Sequence, residues 1–445
     1  MRAAEKTTAA APVRHGGHSG HTSHNSHAGR ATRTTRTDSA GALLRVLLRE
    51  GPSPRSTLAR LSGLSPASVT GHSADLIGRG LVAELPGTAS RTGMGRPHVP
   101  LDLAATAVVG GLHVALAETS AAIVDLRGRV VAERRFPHAG APAESVLIEA
   151  VDALDALAAA HLPGSGLLGV GLATGGWVDR DAGVVAEHSL LGWRDVPAAG
   201  IVARRLAERG GAAVVFPGPV RDRPAPLSVH VDSHTRALIR AEQLFGRLDP
   251  RHSVLALFAG NVVDAAFALG DRVNRGPRSG AGDVAHWPVP GSHQACECGR
   301  SGCLQTALSE LRLVEQGLAS GLIEAPADGS DAVDALLGTA DAGDAAAREL
   351  FVTRSALAGR ALAPLADFLN PDVVLVVDRG TARFGEAHAA LHDALVEHSS
   401  VARTRRPSVI VSSFMSSPLA IAAGTVALDV LYRNPLAVPP RRSAS

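Results

Sequence analysis

Three cysteines and one histidine lie close together in the second half of the chain and restrict how that segment can fold. They are His286, Cys296, Cys298 and Cys303, spaced as H-x9-C-x-C-x4-C, and the chain contains no other cysteine. One imidazole nitrogen and three thiolates form the closed tetrahedral ligand set of a structural zinc ion. Gly299 and Gly302, between the last two cysteines, permit the tight turns that this requires. The alternative is a set of spare thiols beside an unrelated histidine. The clustering favours one zinc ion per chain.

Composition favours a large α/β protein. Of the 445 residues, 45% are hydrophobic and only 3% aromatic, a balance typical of alanine-packed α/β folds rather than of all-β sandwiches. The length suggests two or three domains. We find neither a transmembrane stretch nor a secretory signal. Together with unpaired cysteines in metal spacing, this predicts a cytoplasmic protein without a membrane partner.

Charge is distributed unevenly along the chain. The net charge is +2, but residues 1–100 hold 13 Arg and Lys against 5 Asp and Glu. A basic N-terminal segment on an acidic body is typical of a nucleic-acid-binding head. An uneven surface selected for solubility would look similar, so charge only supports the assignment.

Both ends of the chain read as disordered tails, over residues 1–38 and 433–445. The N-terminal tail repeats histidine every three residues, and such tracts can bind metal. We favour a solvated low-complexity tail. The repeated histidines are His15, His18, His21, His24 and His27.

A helix-turn-helix is predicted near the N-terminus. A first helix over 42–49 ends at Gly51-Pro52, and a second begins with Ser53 as N-cap and Pro54 at its first position. After a glycine-containing turn, Ser65 caps a third helix that runs to about Gly78.

Two short strands over 80–85 and 97–103 surround a basic connection, so residues 39–103 are predicted to form a winged helix-turn-helix domain that binds double-stranded DNA. The third helix would face bases with Ser65, Ala67, Ser68, Thr70 and His72. Phosphates would be contacted by Arg55, Arg60, Arg79, Arg91 and Arg96. The alternative is an ordinary helical hairpin packed on the body.

From residue 104 the pattern changes to strand meanders followed by alternating helices and strands, and it does so twice over. Residues 104–432 are therefore predicted to form two α/β lobes around a cleft. Two long helices are expected over 306–320 and 345–368, with a buried strand over 371–377.

Several motifs resemble the ROK family, which joins sugar-responsive repressors, such as those for xylose and N-acetylglucosamine, to sugar kinases. The resemblance spans roughly residues 40–432. Its motifs include Asp125-Leu-Arg-Gly-Arg129, Gly175-Gly176-Trp-Val-Asp179, Leu191-Gly-Trp-Arg-Asp195, Glu242-Gln-Leu-Phe-Gly246, Gly282-Asp-Val-Ala-His286 and the cysteine segment. The resemblance implies two actin-like lobes of ribonuclease H type, zinc beside a sugar site, and homodimers or homotetramers.

The departures from the family pattern separate a regulator from a kinase. Where kinases carry an Asp-x-Gly-Gly-Thr phosphate loop, this chain has Gly110-Gly-Leu-His-Val114, and the second glycine-rich phosphate segment is Gly260-Asn-Val-Val-Asp264. Positions 233 and 234, which hold the Asn-Asp pair with the catalytic base in kinases, are Ser233 and His234. Phosphoryl transfer depends on such anchors. We read the body as an inactive kinase kept as a sensor.

The residues at the sugar positions remain polar, so a sugar or polyol effector is expected. Either the effector has changed or the pocket has lost it, and we favour the first. The predicted effector-binding residues are Ser233, His234, Asp283, His286 and Gln305.

Three functions were weighed. The leading one is a transcriptional regulator, a repressor of carbohydrate-related genes, that releases a partly palindromic operator when ligand shifts its lobes. The alternatives are an ATP-dependent carbohydrate kinase with a DNA-binding head, and a protein-docking scaffold.

Overall fold

The computed structural model describes residues 36–85, 99–138, 140–162, 166–209, 227–324, 331–414 and 417–440. The repeated histidines of the N-terminal tail, and Arg91 and Arg96, lie outside these ranges.

The N-terminal head contains three helices followed by a two-stranded antiparallel sheet, an arrangement consistent with the predicted helix-turn-helix. Its elements are α1 (Arg36–Glu50), α2 (Arg55–Ser62), α3 (Pro66–Gly78), β1 (Val82–Glu84) and β2 (Leu101–Leu103). Gly63, with a φ of 71°, ends α2 in the left-handed conformation that favours glycine. Ser65 caps α3 as predicted, and its side chain accepts a hydrogen bond from the amide of Ser68.

The predicted N-cap of α2 is wrong. Pro54 occupies the N-cap position and supplies no side-chain hydrogen bond. Ser53 instead forms a backbone bridge with Leu101 of β2, and its hydroxyl donates to the carbonyl of Gly51. The serine therefore joins the entry of α2 to the small sheet.

Lobe I follows the head and is built on a five-stranded sheet of order β10-β6-β3-β4-β5. β10, β6 and β3 are parallel, and β4 and β5 continue the sheet in an antiparallel meander. The hairpin β7–β8 and strand β9 form a separate three-stranded sheet. The elements are β3 (Val108–Val114), β4 (Glu118–Asp125), β5 (Val130–Pro137), α4 (Ala143–His161), β6 (Val170–Thr174), β7 (Trp177–Asp179), β8 (Val184–His188), β9 (Trp193–Val196), α5 (Ala198–Arg209), β10 (Val229–Ser233) and α6 (His234–Leu244).

Lobe II repeats this topology with the order β13-β12-β11-β14-β15. In both sheets the first strand of the lobe is central, with the antiparallel second and third strands on one side and the parallel fourth and fifth strands on the other. This shared strand order confirms the predicted pair of ribonuclease H-like lobes. The elements are β11 (Val254–Ala259), β12 (Val263–Leu269), β13 (Arg272–Val273), α7 (Leu304–Leu308), α8 (Glu310–Ala319), α9 (Ala332–Asp341), α10 (Ala345–Leu369), β14 (Val373–Val377), α11 (Arg379–Arg383), α12 (Gly385–His398), α13 (Ser400–Arg405) and β15 (Ser408–Val411).

The single helix expected over 306–320 is two helices. Ser309 has an extended backbone (φ −62°, ψ 151°) that ends α7, and its hydroxyl accepts from the amide of Arg312 to cap α8. A serine competes with the helix for local hydrogen bonds, and here it starts a new one.

The last helix, α14 (Pro418–Arg433), lies on the sheet of lobe I. The contact requires glycine in two neighbouring strands. A Cβ on Gly171 would lie 2.1 Å from the carbonyl oxygen of Ala423, and one on Gly111 would lie 2.7 Å from the amide nitrogen of Gly424. Both strands therefore approach the α14 backbone more closely than a side chain allows.

The head and lobe I share one hydrophobic core through α14. Leu43 and Leu47 of α1 belong to the same buried cluster as Leu428 and Leu431 of α14. A Cβ on Gly41 would lie 2.4 Å from the carbonyl oxygen of Tyr432, so glycine lets α1 approach α14 closely. The head is therefore packed on the body along a helix face.

Order extends further into both predicted tails than expected. Helix α1 begins at Arg36, and after α14 a 3₁₀ helix spans Pro435–Ala437. Val438 is buried in the core shared with the head. The apolar residues beyond Arg433 are ordered because they cover that core. None of the helices in the described ranges combines the length and apolar content needed to cross a membrane.

Substituting Gly171 should reveal how closely α14 approaches the sheet. Gly171→Ala places a methyl group against the backbone of α14, and we expect it to lower the free energy of unfolding by about 1–3 kcal/mol. Gly338→Ala in α9 is the matched control, because nothing lies within 4 Å of its Cβ and alanine is the better helix former. Urea unfolding measures both, and equal stability of the two variants would contradict the close packing.

Candidate functional site

A cleft of 460 Å³ lies between the β7–β8 region of lobe I and the loops of lobe II that carry the cysteine segment. Four of the five predicted effector residues line it, namely Ser233, Asp283, His286 and Gln305. Glu187 and Arg194 form an ion pair on the opposite wall, 3.1 Å apart. The cleft therefore offers hydroxyl, carboxylate, guanidinium and imidazole groups to a polar ligand.

The four residues predicted to bind metal form one cluster. The imidazole nitrogen of His286 and the three sulfurs all lie within 4.8 Å of one another. Nδ1 of His286 is 3.6 Å from Sγ of Cys296, and the sulfurs of Cys298 and Cys303 are also 3.6 Å apart. Sulfurs bound tetrahedrally to zinc at about 2.3 Å are about 3.8 Å apart, so the donor set fits a small tetrahedral ion.

Backbone hydrogen bonds hold this cluster together. The amide of Cys296 donates to the carbonyl of Arg300, and the amide of Gly302 donates to the carbonyl of Gln294. Gly302 has a φ of 73°, and a Cβ there would lie 2.4 Å from the carbonyl oxygen of Ser292. Glycine at this position lets the chain turn back so that Cys303 meets Cys298.

The thiols of the cluster have different environments. The guanidinium of Arg300 donates to Sγ of Cys298 and lowers the pKa of this exposed thiol to about 6. Burial raises the pKa of Cys303 to about 12. A bound cation would displace the protons from all three thiols, since only thiolates are metal ligands.

His234 is placed differently from the other predicted effector residues. It does not line the cleft but is buried, with its ring centroid 4.1 Å from that of Phe258. Nδ1 of His234 lies 3.5 Å from Nε2 of His113, and its Nε2 lies 3.3 Å from Oδ2 of Asp264. The ring is therefore enclosed by neighbouring side chains, and its contact with an effector stays a prediction.

Gln305 lines the cleft, but its amide is occupied by the backbone of lobe II. Its Oε1 accepts from the amide of Val263 at 2.9 Å, and its Nε2 donates to the carbonyl of Asn261 at 2.5 Å. The side chain thus holds the turn between β11 and β12, and both polar atoms of its amide already have hydrogen-bond partners within the chain.

Backbone amides of the segment 260–264, and one amide facing it from lobe I, are also occupied. The amide of Val263 is bound by Gln305, and that of Gly260 donates to the carbonyl of Val262. Across the cleft, the amide of Gly176 donates to Oδ2 of Asp264 at 3.3 Å. These three donors therefore already have partners within the chain.

His188 is a cleft residue that the sequence analysis did not identify. It is buried, and its Nδ1 accepts a hydrogen bond from the amide of Leu191 at 3.3 Å. The neutral ring must then carry its proton on Nε2, which has no partner within the described residues. Burial is the largest cause that lowers the pKa of His188 to about 4, so the ring is a neutral donor at pH 7.

His113 is a second buried histidine, and it lies in the segment 110–114 that was compared with the phosphate loop of kinases. Burial, followed by the nearby His234 and His188, lowers its pKa well below the usual value. His113 lies in an otherwise apolar strand, where a polar residue is a signal that sequence offers, whereas His188 follows Glu187 at the end of β8 and carries no such signal.

In the head, the N-terminal end of α3 is exposed and carries small side chains. Ser65, Ala67 and Thr70 are exposed, whereas Ser68 and His72 are partly buried. The hydroxyl of Thr70 donates to the carbonyl of Pro66, which leaves its methyl group and oxygen lone pairs facing outwards.

Two of the arginines predicted to contact phosphate have partners in the head and body. Arg55 forms an ion pair with Glu84 at 2.7 Å. Nε of Arg79 donates to the carbonyl of Leu436 at 3.3 Å. Arg60 is exposed. Of these three arginines, Arg60 is the exposed one, whereas Arg55 and Arg79 are engaged within the chain.

Comparison with known proteins gives a consistent result. The ROK family model matches residues 109–410. The chain is similar to the transcriptional regulator Rv0485 of Mycobacterium tuberculosis, with 30% identity over 92% of this chain and 89% of that protein. It is also similar to the DNA-binding transcriptional repressor Mlc of Escherichia coli, with 24% identity over 90% of this chain and 95% of the repressor. A crystal structure of a ROK family transcriptional regulator, a homologue of Mlc, covers 90% of this chain and 98% of its own length with a TM-score of 0.70 at 20% identity.

The low pKa of His188 predicts a pH dependence of stability. Its folded pKa of about 4 lies below the ordinary 6.5, so the unfolded chain binds more protons between these values and stability falls as pH drops. Between pH 7 and pH 4, wild type should lose up to about 3 kcal/mol more than His188→Asn, whose side-chain oxygen can still accept from Leu191. Urea unfolding at several pH values measures this.

His392→Asn, at an exposed position, is the control and should keep the wild-type pH dependence. Identical slopes for wild type and His188→Asn would show that His188 is not a buried neutral ring.

Proposed function

The chain belongs to the ROK family, and on that premise we propose that it is a DNA-binding transcriptional regulator that represses carbohydrate-related genes. The observation that carries the proposal is the head: two helices joined by a glycine turn, with an exposed N-terminal end of α3. The relatives named as regulators match over both head and body.

The proposed DNA contact places α3 in the major groove. Ala67 and Thr70 present methyl groups and a hydroxyl, which suit base edges, and Ser65, Ser68 and His72 complete the predicted set. Arg60 contacts phosphate, as do Arg91 and Arg96 of the predicted wing. Arg55 is proposed in a lesser role, since Glu84 already neutralises it.

The body is proposed to lack kinase activity. The position of the catalytic base is His234, enclosed by Phe258 and His113 rather than open to the cleft. Asp264 puts a carboxylate in the segment that holds phosphates in kinases, where it would repel them. The amides of Val263 and Gly176, which could bind phosphate, already donate to side chains of the chain.

The metal proposed for the cysteine cluster is one structural zinc per chain, held by His286, Cys296, Cys298 and Cys303. Bound there, it would cross-link the segment that forms one wall of the cleft. Arg300 stabilises the thiolate of Cys298 from outside the ligand set.

The proposed effector is a sugar or a related polyol in the cleft. Ser233, Asp283 and His286 are its proposed contacts, with His188 added as a neutral donor. Gln305 and His234 are proposed to shape the cleft from behind. Effector binding favours a conformation with weaker DNA affinity. A homodimer or homotetramer would match a partly palindromic operator.

The zinc proposal predicts metal content. Purified chain should hold about one equivalent of zinc, and Cys298→Ser should hold clearly less, because a hydroxyl is a poor zinc ligand. Elemental analysis and thermal unfolding measure both effects. Ser301→Ala, at an exposed neighbour that is not a ligand, should retain the metal. A Cys298→Ser variant with full zinc and unchanged stability would contradict the assignment.

The regulator proposal predicts that substitutions in the head affect DNA binding in two different ways. In a titration at fixed salt against DNA from upstream of the protein's own gene and against scrambled DNA, Thr70→Ala should lose about 1–3 kcal/mol on the upstream fragment alone. Arg60→Ala should weaken both DNAs equally and reduce the salt slope by about 1. Adding a mixture of sugars should weaken upstream binding.

An equal loss of affinity for both DNAs in Thr70→Ala would show that α3 does not read the bases. Turnover of ATP with a panel of hexoses would contradict the inactive body and support the kinase alternative.

A further inference from the structure

A buried cluster of charges lies between the cleft and α14. Asp429, on α14, is only 1% exposed, yet three guanidinium groups from different places reach it. Arg240 of α6 lies 2.9 Å away, Arg433 lies 2.9 Å away one turn along α14, and Arg180, which follows β7, lies 3.5 Å away. Burial by itself would raise the pKa of Asp429, but these arginines lower it, so the carboxylate is charged.

Arg180 connects this cluster to the wall of the cleft. It also pairs with Asp232 at 2.6 Å, and Asp232 pairs with Arg236 of α6 at 2.7 Å. Arg236 in turn donates to the carbonyl of Ser279 at 2.9 Å, and the amide of Arg180 donates to the hydroxyl of Ser279 at 3.3 Å. Arg180 therefore contacts both α14 and a loop that lines the cleft.

That loop, residues 276–280 of lobe II, has a strained backbone. Arg278 and Ser279 have φ values of 50° and 56°, in the left-handed region that non-glycine residues rarely adopt. Trp177 of lobe I holds the loop, since its indole nitrogen donates to the carbonyl of Arg278 at 2.8 Å and its ring lies under the Arg278 guanidinium. A contact from the other lobe thus keeps the loop in an unfavourable conformation.

Within one helical turn of Asp429, α14 contacts the head. The guanidinium of Arg45 in α1 donates to the carbonyl of Tyr432 at 3.2 Å, and Gly41 lies against the same carbonyl. Tyr432 is itself fixed, because its buried hydroxyl donates to the carbonyl of Leu126 at 2.6 Å. A displacement of the C-terminal turn of α14 therefore acts directly on α1.

We propose that Asp429 is a positioning residue that couples the cleft to the DNA-binding head, with Arg180 as the cleft-side partner. A ligand that moves the loop at Ser279 moves Arg180. A buried carboxylate loses stability when a partner leaves, so α14 follows Arg180, and α1 follows α14. The consequence for DNA binding rests on the proposed function, whereas the physical coupling does not.

Hydrogen exchange in the full chain tests the coupling without a ligand. Ser279→Gly relaxes the strained backbone and removes the hydroxyl that Arg180 contacts. We expect amide exchange in α1 to rise by about threefold or more, while exchange in β14 of lobe II stays unchanged. An unchanged α1, or equal rises in α1 and β14, would overturn the proposal.

Two arginine variants test the route. Arg180→Gln leaves Asp429 with two arginines and Asp232 with one, so it is a milder change than substituting Asp429 itself. In an Arg180→Gln background, Ser279→Gly should no longer affect α1. Arg433→Gln removes the same charge from Asp429 but lies on α14 itself, and in that background the effect should persist. A response that survives Arg180→Gln would overturn the route.

DNA titrations on the same proteins distinguish this coupling from the proposed function. Ser279→Gly should change affinity for the upstream fragment by about threefold or more, and Arg180→Gln should abolish the change. Exchange coupling in a chain that does not prefer upstream DNA would leave the coupling intact and remove the regulator. A preference for upstream DNA with no change in the exchange of α1 would support the regulator and overturn the coupling.

Discussion

The close contact between α14 and the sheet of lobe I is the constraint on which the rest of the structure depends. Gly111 and Gly171 let two parallel strands touch the backbone of the helix, which no side chain would allow. Held at that distance, α14 covers the sheet, packs against α6 below the cleft and supplies the surface on which α1 rests. Helix α14 is therefore part of lobe I and of the head at once.

The sequence predicted those elements whose signals are local. The cap of α3 by Ser65, the alternation of strands in both lobes and the meeting of His286 with three cysteines follow from patterns a few residues long, and the structure contains all of them. A serine before a proline, as at Ser53, resembles an N-cap, yet the backbone of Ser53 pairs with that of Leu101, 48 residues further along the chain. Long-range pairing of that kind has no local signal.

The cleft was predicted in outline but not in its chemistry. The resemblance places His234 at the position of a catalytic base, but sequence does not show that Phe258 packs against the ring. The loss of glycines in the phosphate segments was visible. The sequence does not show that the amide of Val263 donates to Gln305, or that Asp264 accepts from the amide of Gly176. His188 escaped notice because its partner, the amide of Leu191, is defined only once the turn has formed.

The shared core of head and body has a consequence for folding during translation. Arg45 and the carbonyl that it binds are 387 positions apart in the chain. The helices of the head can cover part of the apolar face of α1 early, but the part that rests on α14 stays exposed until nearly all of both lobes has been translated. Such surface is prone to aggregation during synthesis. A head transplanted between relatives would need its own α14 to travel with it.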